Sequence, residues 1–110
     1  MAKLVPSLVA IGLAVATVAA CTTVSPRIEL LQTCDRYAST LTALAAAKAH
    51  GRLSVPQVDA VDTVRLGLNP ICESPPVVDQ SVAAVLPQVK EGVRQLLLIE
   101  AQVEIADDAR

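Results

Sequence analysis

Apolar positions recur in three blocks at helical spacing, and short stretches rich in proline, serine and glycine separate the blocks. The first runs from Arg27 to about Ala49. It puts Leu31, Cys34, Ala38, Leu41 and Ala45 on one stripe, which Leu30, Tyr37 and Leu44 widen. Ser25 is placed to cap this helix, Pro26 falls at its first position, Glu29 lies in its first turn, and Gly51 follows its last periodic residue. The second block opens on Ser54-Val55-Pro56-Gln57, a capping-box pattern. Val58, Val61, Val64 and Leu68 form its apolar side; Gln57, Asp59, Asp62 and Arg65 form its polar side. Its expected end is Asn69, because a proline disfavours the helical conformation in the residue before it, and Cys72 would then lie just past the end. After Glu73-Ser74-Pro75-Pro76, the third block begins between Asp79 and Ser81 and runs to about Ala106. Val82, Val85, Leu86, Val89, Val93, Leu96, Leu97 and Val103 make its buried side. Pro87 falls beyond the tolerated first turn, so the pattern predicts a kink there, or a break.

Before these blocks comes a segment of another kind. Met1-Ala2-Lys3 is a basic start, the stretch from Leu4 to Ala16 is mostly apolar, and Val18-Ala19-Ala20-Cys21 is a small-residue end. Lys3, Pro6 and the small-residue end leave too short a core for a membrane-spanning helix, so a cleaved signal peptide is expected. The remaining 90 residues amount to one small domain, which buries only about 60 to 65% of the surface its unfolded chain exposes. The expected organisation is a signal peptide over 1–20, a tether over 21–26, a helical domain over 27–106 and a polar tail over 107–110.

Composition narrows the function classes. Without Lys3 the chain has eight basic against eleven acidic side chains, a net charge of −3, which does not attract nucleic acid. Tyr37 is the only aromatic residue, so base-stacking platforms and aromatic sugar clefts are not expected and the core must be aliphatic. No Gly-rich phosphate loop, metal-binding histidine motif or nucleophile elbow occurs. No cofactor, metal or small-molecule substrate is indicated.

Candidate chemistry comes down to a few side chains. With Cys21 set aside, Cys34 and Cys72 form an even pair in an exported chain, and a disulfide is expected. The first two helices, joined by a short turn at Gly51-Arg52-Leu53, form an αα-hairpin that brings these cysteines together. The alternatives are a metal pair or a catalytic thiol. Each needs further ligands or a positioned base, and His50 is the only histidine. His50 itself suits a helix C-terminus. Asp59 with Asp62, and Glu100 with Glu104, could be called carboxylate dyads, but their spacing fits solvated helix faces. Tyr37 shares the helical spacing of Cys34 and Leu41 and belongs to the core or its edge. The expected fold is all-α, a small three-helix bundle that starts with a disulfide-braced hairpin. A non-enzymatic role is expected.

Val18-Ala19-Ala20-Cys21 resembles the lipobox of bacterial lipoproteins, over residues 1–21 only and with Val18 where leucine is commoner. The resemblance implies diacylglycerol on the Cys21 sulfur, cleavage before it, and acylation, such as palmitate, of the new amine. Two or more chains anchor stably where one does not. In that family an aspartate after the cysteine retains the protein in the inner membrane. Thr22 stands there instead, which implies the periplasmic leaflet of the outer membrane. The segment from Arg27 to Pro76 carries Gly51-x-Leu53-Ser54-x-x-Gln57 and Asn69-Pro70-Ile71-Cys72, and it resembles small lipoproteins encoded by tailed phages and prophages. That resemblance implies an envelope protein partner and two kinds of role. One is an interaction subunit in lysis or envelope adaptation, of which an outer spanin is a specific version. The other is a lipoprotein that masks a surface receptor and excludes a second phage. Spanins resemble extended proline-rich linkers, whereas these prolines punctuate helices.

Overall fold

The computed structural model describes residues 24–109, which form three α-helices and no strand. Helix α1 is Pro26–Ala49, α2 is Val55–Glu73 and α3 is Asp79–Asp108. The expected signal peptide, Cys21 and Thr22 lie outside the described residues.

The helix ends follow from their capping residues. The Ser25 hydroxyl accepts from the Ile28 N–H, and Pro26 costs nothing at a position whose N–H has no intrahelical partner. At the other end of α1, the Gly51 N–H donates to Lys48 O at 3.0 Å and the Arg52 N–H to Ala47 O at 2.9 Å, a Schellman closure. That closure needs a left-handed residue, and Gly51 supplies it with φ 71°. Helix α2 begins with the full capping box: the Ser54 N–H donates to Gln57 Oε1 at 2.9 Å, and the Gln57 N–H to Ser54 Oγ at 3.3 Å.

Both internal prolines sit inside continuous helix, which corrects the expected stop before Pro70 and excludes the alternative of a break at Pro87. Helix α2 passes Asn69 and ends at Glu73, so Cys72 lies in its last turn rather than beyond it. Helix α3 passes Pro87 unbroken and takes in Asp107 and Asp108 from the expected tail. The reason is the same in both. Each proline leaves one carbonyl four residues earlier without its donor, at Leu66 and at Ala83, and both of those residues are exposed, so water can satisfy the carbonyl.

Helix α3 is the spine. It packs most extensively along α1 and less along α2, while α1 and α2 touch each other least. The hairpin is therefore joined by its turn and its crosslink more than by shared packing. Leu30, Leu44, Val82, Val89 and Leu96 are the most completely buried large side chains, each worth about 1.5–3 kcal/mol of transfer free energy. Around them cluster Tyr37, Val61, Val64, Leu68, Leu86, Val93 and Ile99.

The buried line of α1 is rotated from the expected stripe. Leu30, Tyr37, Thr40 and Leu44 are buried, Cys34 and Leu41 are half-buried, and Leu31, Ala38 and Ala45 are exposed. Thr40 tolerates burial because its hydroxyl donates to the Arg36 carbonyl at 2.8 Å, which leaves no polar atom unpaired. On α3, Leu97 is exposed, Val85 is half-buried, and Ile99 and Gly92 take part in the buried face. Polar contacts bridge the helices at the surface: Arg52 pairs with Asp107 at 3.1 Å, Gln57 donates to Gln102 at 3.2 Å, and Lys90 pairs with Glu29.

Candidate functional site

Cys34 and Cys72 are joined by a disulfide with a Cα–Cα separation of 5.5 Å, well inside the usual range. It sits near the middle of α1 and in the last turn of α2, so it clamps the hairpin at the end opposite its turn. One helical turn further in on each arm is a second clamp, where the Tyr37 hydroxyl donates to Asn69 Oδ1. Burial pushes the Tyr37 hydroxyl above its ordinary pKa of 10; the Arg65 cation opposes this shift and the Glu73 carboxylate adds to it.

Between these clamps and the turn, α1 and α2 enclose a cleft of about 600 Å³. Leu41, Leu44, Ala45, Leu53, Val58 and Val61 give it an apolar floor, while Lys48, Asp62 and Arg65 add charge to its lining. Arg65 lies 3.8 Å from Asp62, a surface pair that contributes little to stability. The volume falls within the range of small-ligand and peptide pockets. A second hollow of about 390 Å³ lies between α1 and α3, with Arg36, Lys90 and Arg94 around it. Its charges are mostly engaged: Lys90 holds Glu29, and Arg94 grips Glu91 at 2.5 and 2.9 Å. The hydrogen bond from Arg94, more than its charge, holds the Glu91 carboxyl down to about 2.

The other sequence candidates scatter. Asp59 is exposed, and its backbone carbonyl accepts from Thr63 Oγ1. Asp62 lies at the cleft, paired with Arg65. Glu104 is exposed and Glu100 half-buried on α3. His50 is the exposed C-cap of α1, and its N–H donates to Ala46 O. Among the described residues, no three histidine, cysteine, aspartate or glutamate side chains gather as a metal site would require.

Two participants escaped the sequence reading. Asn69 stood there as a helix stop, yet it is the acceptor for Tyr37. A signal was present: Tyr37 is three residues after Cys34 and Asn69 three before Cys72, and in an antiparallel pair equal steps from a crosslink land on facing residues. Gly92 was not singled out either. It is buried where α3 crosses α2.

Compared with known proteins, the chain matches no family model, no curated protein and no solved structure. No helix among the described residues is long and apolar enough to cross a membrane.

Proposed function

We propose that this protein is an exported lipoprotein, anchored through Cys21, whose helical body is a protein-interaction module at the cell envelope. The observation that carries this reading is the pairing of Cys34 with Cys72. A structural disulfide belongs to an oxidising compartment, and this one accounts for every cysteine except the one that ends the Val18-Ala19-Ala20 run. With Thr22 after Cys21, the periplasmic leaflet of the outer membrane is the proposed address. The interaction role rests on the apolar cleft between α1 and α2, which suits a peptide or helix edge of a partner protein.

Within that role, masking of a surface receptor is favoured over a spanin-like function in lysis. Pro26, Pro56, Pro70 and Pro87 all lie within helices, which supports a compact body over an extended proline-rich linker. The deciding measurement is the intact mass of protein extracted from membranes. Loss of residues 1–20, added acyl groups and the two-hydrogen mass deficit of one disulfide are expected together. The full precursor mass, or an unacylated product, would remove the anchoring reading.

A further inference from the structure

Exposed apolar side chains collect at the end of the body where the tether enters. Val24, Ile28, Leu31, Val77 and Val78 are 47–66% exposed and make up half of the large apolar side chains left open among the described residues. Ile28 and Leu31 are one turn apart at the start of α1, and Val24 immediately precedes its cap. Leu31 shares a small hollow with Pro75, Pro76 and Val77, so the loop between α2 and α3 extends the same patch. Solvent-exposed apolar groups gathered in this way call for a cover, whereas singly scattered ones do not.

Chain connectivity supplies the cover. Val24 is the third residue after Cys21, and three residues span at most about 11 Å. On the lipid-anchored reading proposed above, on which this inference rests, acyl chains enter the bilayer at Cys21, and so short a tether cannot hold the body away from the surface. The part of the body within its reach is this patch. Arg27, which lines the same hollow, adds a cation suited to phosphate headgroups. We infer that this end of the molecule lies in the lipid interface, with Leu31 and Val77 at the boundary between headgroups and acyl chains. The helices then stand out from the membrane. The cleft begins at Leu41, fifteen residues along α1 from Pro26, and is displaced roughly 20 Å from this end, toward the periplasm.

The chain has no tryptophan, so Val77→Trp and Val55→Trp each introduce a single indole, one at each end of the body. Both positions are exposed, which leaves the core undisturbed. Each variant is expressed as the full chain, extracted from membranes, checked by intact mass, and reconstituted into phosphatidylethanolamine–phosphatidylglycerol vesicles containing acyl-brominated lipid. The indole at position 77 should be quenched severalfold more than the indole at position 55. In a sample whose mass carries lipid, equal quenching at both positions, or none at position 77, overturns the inference and leaves the anchor standing. A mass without acyl groups removes the anchor and the inference with it. Shielding of position 77 in native envelopes but not in pure-lipid vesicles assigns the patch to a protein partner, which also overturns the inference.

Discussion

Leu68 of α2 lies directly on Gly92 of α3: a Cβ built on Gly92 would stand 2.5 Å from Leu68 Cδ2 and 3.2 Å from its Cγ. Leu68 is buried in the central cluster, so it cannot swing away without disturbing Val64 and its neighbours. The close approach of α2 to the spine therefore depends on the missing side chain.

Gly92→Ala should gain up to about 1 kcal/mol of helix propensity and lose about 1–3 kcal/mol to overpacking, a net loss of stability. Gly92→Val gains less propensity and displaces more, so it should fall further. Thermal and urea unfolding of both variants checks the order. A stabilised Gly92→Val protein would mean that α2 can move off the spine freely.

The Cys34–Cys72 crosslink spans a sequence separation of 38 and should contribute about 4 kcal/mol through loop-closure entropy. Reduction should lower the thermal midpoint, and Cys34→Ala and Cys72→Ala should be destabilised to similar extents. The double variant should be no worse than either single one, because each already removes the link. Two titratable thiols at positions 34 and 72 in protein purified without reductant would count against this brace.

Because Tyr37 is the only tyrosine, its ionisation can be followed alone by phenolate absorbance. Its folded pKa lies above the ordinary 10, so folding favours the neutral phenol. The resulting stability is complete below pH 10 and is lost as the pH rises through the raised value. The absorbance midpoint should lie above 10 in native protein and return to 10 in denaturant. Tyr37→Phe should cost about 1 kcal/mol at neutral pH, by loss of the hydrogen bond to Asn69. A native midpoint at or below 10 would contradict the buried hydroxyl.

Much of the fold is legible because its signals are local. The caps at Ser25 and Ser54 and the left-handed stop at Gly51 depend on residues within one turn, and the structure has them where the pattern puts them. The cysteine pairing was readable from parity and hairpin arithmetic. What was not legible depends on a neighbour. Pro70 reads as a stop and Pro87 as a kink or a break until the exposure of Leu66 and Ala83 shows that water can reach the freed carbonyls. Periodicity finds the apolar arc of α1 but not its centre, since Leu30 and Leu31 are equal in hydrophobicity and only the position of α3 decides which is buried. The cleft has no sequence signature, because it is a gap between helices that share few contacts.

Pro87 offers a test of that account. It is exposed inside the continuous helix α3, so Pro87→Ala should restore a donor to the Ala83 carbonyl and raise stability by about 1–3 kcal/mol. Unchanged or lowered stability on chemical denaturation would mean that the proline ring makes contacts that offset the lost hydrogen bond.

Cys21→Ser should block lipid attachment, leaving precursor or material released from the membrane. Fractionation and migration after detergent extraction will report it. A serine variant that behaves like wild type in both assays would end the lipoprotein reading.

The turn at one end of the hairpin and the disulfide near the other make residues 34–72 a closed covalent ring, with α3 attached outside it. Two bonded routes therefore lead from the start of α1 to α3, one through the peptide chain and one through sulfur. A protease that cut the exposed Gly51-Arg52 turn would open the ring and leave the two pieces joined through sulfur. Separating α3 from the start of α1 by a cut between residues 34 and 72 would take two independent events, a backbone cut and a reduction. At the proposed periplasmic address, where reductants are scarce, the second is the rarer.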